Sequence, residues 1–287
     1  MTVWLPADAP IAVVAPCHPY DPTRLQAGLD RIAAAGHTAV LFDGALQPDR
    51  YLAAPDDVRR AHLLQAFDDP AFGAVWAARG GSGMSRLLRG LPVATWGAKT
   101  LIGFSDLTPL LNLHARHGGR ALHAPVVNSL PQTDPDDVSA LFAVLAGAEP
   151  TPLRGDRWQG GDVQGRLVGG NLSLLAATCG TPWQIDGRGA IVVIEEIGEV
   201  PYRVDRMFQQ LRDAGLFDGA AGIALGGFDD CAPPRDATWS LEDVLRDLVA
   251  PLGLPTLANL PFGHGRRNLP LGLGRPATMA GDALSWT

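Results

Sequence analysis

Residues 99–111, KTLIGFSDLTPLL, are the stretch on which the fold turns. Residues 101–104 are a short apolar run of strand length, and residues 106–117 carry a helical pattern that Gly118 and Gly119 stop. A sharp strand-to-helix turn at Gly103-Phe104-Ser105-Asp106 would lift the Ser105 hydroxyl to the carboxyl end of a sheet, with helix N-terminal amides beside it. That is the setting of a nucleophile elbow, although Leu107 stands where the full GxSxG pattern has its second glycine. The competing reading is that Ser105 or Asp106 simply N-caps the helix.

Outward from this stretch, strand and helix patterns alternate. Upstream, residues 10–16 (PIAVVAP) and 38–42 (TAVLF) read as buried strands, and residues 73–78 (GAVWAA) as a third. Residues 22–35 place Leu25, Leu29, Ile32 and Ala33 at helical spacing, closed by Gly36. Residues 56–67 do the same with Val58, Leu63, Leu64 and Phe67. The alternation predicts a mostly parallel sheet with helices on both faces.

Downstream, residues 130–165 break the rhythm. LPQTDPDD is followed by a short helix at 138–146 and then by GAEPTPLRGDRWQGGD. The predicted division is therefore an N-terminal α/β domain at 1–135, a linker region at 136–165 and a C-terminal domain at 166–287. In the second half, residues 171–178 read as a helix start and residues 190–194 (AIVVI) as a buried strand. Residues 203–214 form an amphipathic helix with Val204, Met207, Phe208 and Leu211 on one face. A strand at 222–225, a helix at 241–248, a segment at 255–260 and a closing strand or turn from Met279 complete the pattern. The expected fold class is α/β, a Rossmann-like parallel-sheet domain followed by a smaller α/β domain.

Composition narrows the function. The chain has 287 residues, 46% of them hydrophobic and 18% charged, which is enough to build a large core and excludes wholesale disorder. The net charge is −7 and no basic block occurs, so nucleic acid and anionic membranes are not expected partners. Cys17, Cys179 and Cys231 form no CxxC pair, against a zinc ribbon or a disulfide framework, and are expected as small buried hydrophobes. The N-terminus lacks a basic n-region and no apolar run reaches membrane-spanning length, so a soluble intracellular protein is expected.

Three further segments carry candidate chemistry. In residues 77–88, AARGGSGMSRLL, Gly80, Gly81 and Gly83 would let backbone N–H groups approach an anion, or would form a plain turn. The loop lacks the Gly-Lys-Ser/Thr of a Walker A motif and the last glycine of GxGxxG. In residues 190–199, AIVVIEEIGE, Glu195 and Glu196 end a buried strand, where one could orient a histidine or both could be solvated. In residues 262–269, FGHGRRNL, His264 lies in a loop between two glycines. His114 and His117 stand three apart on a helix and His123 follows, but no third ligand comes at a familiar spacing. His114 and His117 are read as a partly exposed helix face, with no metal and no cofactor.

Taken together these segments resemble the LD-carboxypeptidase (muramoyltetrapeptide carboxypeptidase) family of serine peptidases. The matching pieces are IAVVAP, AFDDPAFGAVWAARGGSG, LIGFSDLT, GRLVGGNLSLL, IVVIEEIGEVPYRVDRMFQQLRDAGLF, GIALGGF and LPFGHGRRNLPLGLG, in family order along nearly the whole chain. The resemblance implies an active site between the two domains. It implies a triad of Ser105 as nucleophile, His264 as base and Glu195 as its carboxylate partner. Backbone amides of Gly81 and Asp106 are implied as the oxyanion hole. The implied reaction releases a terminal D-amino acid from an L-centre through an acyl-enzyme, as in cytosolic recycling of cell-wall tetrapeptides, by a homodimer. Strand alternation itself says only that Glu195 and Glu196 point to opposite faces. A carboxypeptidase must also bind a free carboxylate, for which Arg203, Arg206, Arg266 and Arg267 are unranked candidates.

The chain departs from the family pattern at three places. Ser82 replaces an aromatic residue in the RGGxG loop, Glu196 stands where Asp is usual, and Arg266-Arg267-Asn268 replaces Pro-Asn-Asn. These departures leave room for a related serine amidase that cleaves an aminoacyl-nucleotide antibiotic of the microcin type and confers self-immunity. Two further alternatives are a binding protein that has lost the reaction and a nucleotide-binding protein using the RGGSG loop.

Overall fold

A computed structural model describes residues 3–287. The chain separates into two compact units, 1–150 with 270–272, and 151–269 with 273–287. The first contains β1 (Ile11–Val14), α1 (Pro22–Ala34), β2 (Ala39–Leu41), α2 (Asp56–Asp68), β3 (Ala74–Ala77), α3 (Met84–Leu88), β4 (Thr100–Gly103), α4 (Thr108–Arg116), β5 (Arg120–His123) and α5 (Pro135–Leu145). There follow β6 (Leu153–Arg154), β7 (Asp156–Gln159), β8 (Val163–Asn171), α6 (Leu172–Thr178), β9 (Ala190–Ile197), α7 (Pro201–Asp213), β10 (Gly222–Asp229), α8 (Leu241–Val249), β11 (Thr256–Ala258), β12 (Leu271–Leu273), β13 (Pro276–Ala280) and β14 (Ala283–Trp286).

The first unit is a doubly wound sheet. Its strand order is β12-β5-β4-β3-β1-β2, and the pairs among β1 to β5 are all parallel. β1, β3 and β4 are buried along their whole length, as expected of strands covered on both faces. The chain winds one way from β1 to β2 and the other way from β3 onward. The loops after β1 and β3 therefore diverge and leave a crevice at the carboxyl edge, where α/β sheets bind ligands. Those two loops hold His18 and the Gly80–Gly83 turn.

The second unit is built on a mixed sheet in the order β6-β14-β13-β8-β9-β10-β11-β7. Its centre, β8 to β11, is parallel, and its margins are antiparallel. The outermost strands, β6 and β7, are separated only by Gly155, so the two margins meet and the sheet is nearly closed. Gly155 marks the seam: its N–H donates to Asp282 O at 2.9 Å, and a Cβ there would lie 2.2 Å from Ala258 O. Leu172 and Leu175 of α6, Val204, Phe208 and Leu211 of α7, and Leu245, Leu248 and Val249 of α8 pack with Val192, Ile194, Ile223 and Leu225 of the sheet into one core. Each such fully buried side chain contributes about 1.5–3 kcal/mol.

Several sequence expectations are corrected. The α/β class and the two-unit organisation hold, but residues 136–165 are not a free linker. Residues 135–145 form α5 in the first unit, started by Pro135 and the Asp134 carboxylate on Asp136 N at 3.1 Å, and residues 153–165 enter the second sheet. The run at 38–42 is an edge strand rather than a buried one, and Val40 faces solvent. β5, β7, β8 and β12 carried too few uninterrupted apolar residues to read as strands. β8 begins among polar residues and glycines and becomes buried only from Leu167.

Candidate active site

The nucleophile region lies at the carboxyl edge of the first sheet. β4 ends at Gly103, and Ser105 follows with φ 63°, a left-handed backbone that a β-substituted residue adopts only under tertiary constraint. The chain then makes one 3-10 turn, Ser105–Leu107, before α4. A cap does not explain this arrangement. The N-cap positions of the two helical segments are Phe104 and Leu107, and neither gives a side-chain cap. The Asp106 carboxylate reaches away from its own helix and accepts from Met84 N at 2.8 Å.

The Gly80–Gly83 loop is packed against this turn. A Cβ on Gly80 would lie 2.9 Å from Ser105 Cβ and 3.1 Å from its Oγ. Gly81 (φ 109°) passes so close to the His18 ring that a Cβ would come within 2.4 Å. A bulkier residue at either position would push the loop off the serine. A glycine backbone packed this close to a hydroxyl is the setting in which N–H groups form an oxyanion hole.

The acid–base pair lies in the second unit. Glu195 and Glu196 end β9 and are both buried, so the solvated-loop reading fails. Their alternation sends them to different partners. Glu195 Oε2 is 2.6 Å from His264 Nδ1. Glu196 instead accepts from Asn171 Nδ2 (2.9 Å), Ser173 N (2.7 Å), Ser173 Oγ (2.5 Å) and Ile197 N (2.8 Å), and so ties the start of α6 to β9. The approach of Glu195 to the histidine loop requires Gly263 (φ 129°), where a Cβ would stand 3.2 Å from Glu195 Cβ.

Electrostatics follow from this burial. Loss of solvent works to lower the His264 pKa, but the Glu195 carboxylate, then Glu196 and Asp229, outweigh it, so the imidazole sits above its ordinary value of 6.5. Burial pushes the Glu195 carboxyl up, and His264 opposes that rise. The geometry fixes the ring orientation, with Nδ1 held by the carboxylate.

The four candidate arginines separate. Arg203 pairs with Glu199 four residues earlier at 3.4 Å, and Arg206 lies 5.4 Å above the Tyr202 ring, both on the exposed face of α7. Arg266 and Arg267 follow His264 after Gly265 and line a cleft of ≈ 900 Å³ within the second unit, together with Asp229, Trp158 and Leu260.

The histidine reading of α4 is corrected. His114 is fully buried, its Nε2 2.7 Å from Lys99 O, and burial lowers its pKa; only His117 is exposed. Among the described residues no group of three or more His, Cys, Asp or Glu is placed to hold a metal ion, and no helix is long and apolar enough to cross a membrane. Cys17 and Cys231 are buried as expected, whereas Cys179 is half-buried.

Sequence reasoning missed His18, Asp229 and Arg59. Arg59 had a signal: it shares a helical stripe with Leu63, Ala66 and Phe67, and all four are buried. A charge on an apolar stripe marks a buried partner set.

Comparison with known proteins identifies the family. The LD-carboxypeptidase N-terminal domain matches residues 11–124, and the LD-carboxypeptidase C-terminal domain matches residues 164–279. A Synechocystis sp. protein that carries a carboxypeptidase name is 40% identical over 264 residues, 90% of this chain and 87% of that protein. The murein tetrapeptide carboxypeptidase of Pseudomonas aeruginosa is 34% identical over 303 residues, 99% of this chain and 97% of that one. The crystal structure of muramoyltetrapeptide carboxypeptidase from Oxalobacter formigenes superposes with a TM-score of 0.87 at 27% identity, covering 97% of this chain and 98% of that one. The microcin C7 self-immunity protein MccF shares the fold, with a TM-score of 0.85 at 21% identity over 100% of this chain and 98% of that one. The chain therefore belongs to the LD-carboxypeptidase family and is a serine-type carboxypeptidase, a hydrolase.

Proposed function

We propose that this protein releases the terminal D-alanine from an L-centre of peptidoglycan tetrapeptides through a Ser105–His264–Glu195 triad. The observation that carries the reading is the 2.6 Å contact of His264 Nδ1 with the buried Glu195 carboxylate. A histidine so oriented, held at Nδ1 by a buried carboxylate in a loop of glycines, has the arrangement that general-base catalysis uses. In this reading His264 Nε2 takes the Ser105 proton as the hydroxyl attacks the scissile carbonyl. Glu195 holds the tautomer and stabilises the imidazolium. Backbone N–H groups of Gly81 and Asp106 receive the oxyanion, D-alanine leaves with the proton returned by His264, and water hydrolyses the acyl-enzyme. We assign the substrate's free carboxylate to the Arg266–Arg267 pair, because these two follow the base and line a cleft. The names of the Pseudomonas and Oxalobacter relatives support the tetrapeptide as substrate. We place the reaction in cytosolic cell-wall recycling by a homodimer, an assembly that light scattering would test.

The experiment is a mass-spectrometric assay with L-Ala-γ-D-Glu-meso-diaminopimelate-D-Ala, beside Ser105→Ala. Loss of one D-alanine with the wild type alone supports the reading. Loss with both would sink the nucleophile. The likeness of fold to MccF, solved with aspartyl sulfamoyl adenosine, motivates a second arm with that compound. Cleavage there and not of the tetrapeptide would replace the peptidase reading with the acyl-nucleotide amidase.

A further inference from the structure

We infer that Arg59 is a positioning residue that holds the Gly80–Gly83 loop in the geometry of an oxyanion hole. The inference rests on the Ser105 reading above.

Arg59 is 1% exposed, although it stands on a helix. A guanidinium carries its charge at all physiological pH values, and burying it is costly unless its donors are matched. Here they are. Nε donates to Ala54 O at 3.0 Å, Nη1 donates to Pro16 O and to Gly83 O (3.2 Å), and Nη2 donates to Asp56 Oδ1 at 2.5 Å. Three of these acceptors are backbone carbonyls from three different loops. Asp56 is itself shared with Arg86 of α3 at 2.8 Å.

Two of the three loops so joined are the one that holds Gly81 and the one that packs against it. Pro16 leads to His18, whose ring lies against Gly81 and whose N–H donates to Gly80 O at 3.2 Å. Gly83 closes the glycine loop on the other side. The loop is therefore anchored at three points: Gly80 O by His18, Gly83 O by Arg59, and Met84 N by the Asp106 carboxylate. Gly83 (φ 130°) is needed for the middle anchor, since a Cβ there would stand 2.9 Å from Arg59 Nη1. Arg59 also grips the neighbouring loop through Pro16. A planar fork can serve these carbonyls together, and a lysine ammonium cannot reproduce that fork.

The test measures two things on Arg59→Met, Arg59→Lys and Asp56→Asn: kcat and KM on the tetrapeptide, and the rate at which a fluorophosphonate probe labels Ser105. Phosphonylation needs the serine and the oxyanion donors but not the peptide. Removing one oxyanion donor outright costs about 10²–10³-fold in kcat. Displacing the loop in folded Arg59→Met is expected to cost roughly 10²-fold in both kcat and labelling, with KM changed less than about twofold and part of the loss recovered in Arg59→Lys. A purely structural arginine would lower the melting temperature and leave the folded protein labelling at the wild-type rate, and that result overturns the inference. If Arg59→Met fails to fold, unchanged labelling in both Arg59→Lys and Asp56→Asn overturns it equally. A wild-type protein that the probe does not label at Ser105 would instead bring down the nucleophile reading, and this inference with it.

Discussion

The two halves of the proposed catalytic machinery are held in opposite ways. Around Ser105 the backbone is arranged first and the side chains serve it. The serine is at φ 63°, two glycines have positive φ, and the buried charges of Arg59 and Asp106 are bonded to main-chain groups. Around His264 the side chains face each other. A carboxylate with no exposed surface meets an imidazole, and the glycine at 263 only clears the way. The first half should be vulnerable to added volume and the second to pH and lost charge.

That contrast can be broken by substitution. The largest effect is expected for Ser105→Ala, a fall in kcat of about 10⁶-fold, as nucleophile removal gives in comparable triads, with the melting temperature held or raised because the left-handed backbone remains occupied by a small residue. Glu195→Gln should retain the fold and lower kcat by roughly 10⁴-fold, since an amide favours the wrong imidazole tautomer. Glu196→Gln should instead reduce stability by about 1–3 kcal/mol, because whichever oxygen becomes N–H₂ faces donors, Asn171 and Ile197 at Oε1 or Ser173 at Oε2, while most of the kcat of the folded protein survives. If chemical denaturation and turnover showed the reverse for the two glutamates, the assignment of roles would be wrong. Gly80→Ala should lower kcat by roughly 10²-fold through its contact with Ser105, and insensitivity there would mean that the loop does not serve the reaction.

The pH dependence sharpens the same contrast with a smaller effect. A histidine base works only when neutral, and the carboxylate neighbours of His264 raise its pKa. The acid limb of kcat/KM should therefore lie above 6.5, with activity lost as pH falls through it. In Glu195→Gln the limb should move down, because burial then acts with one carboxylate fewer against it. The stability contribution has the opposite direction: it is fully present below the unfolded value of 6.5 and is lost as pH rises through the raised folded value. Gly80→Ala should leave the position of the limb unchanged, since it alters no charge.

Much of this was legible in the chain itself. The apolar runs at 11–14, 74–77 and 101–103 were legible as strands because they are short, uninterrupted and bounded by turn residues, as strands covered on both faces are. α1, α7 and α8 were readable from their apolar spacing, and α1 and α8 also carry caps at Asp21 and Ser240. The motif order from GFSD through EEIGE to GHG pointed to the three candidate triad residues. Short strands such as β5 and β12 were not legible because they hold too few apolar residues, and the edge position of β2 was not legible because it depends on β3 pairing with the other side of β1.

The sequence alone determined the α/β class, the strand-turn-helix at Ser105 and the set of residues available for chemistry, since these depend on local periodicity and on residue type. Only the tertiary structure decided that Glu195 rather than Glu196 meets His264, that Asp106 holds Met84 instead of capping its own helix, and that Arg59 and His114 are buried. Each of these depends on which groups lie opposite one another across strands and loops far apart in sequence, and a buried charge or hydrogen bond is settled by its partner, which a linear pattern does not contain.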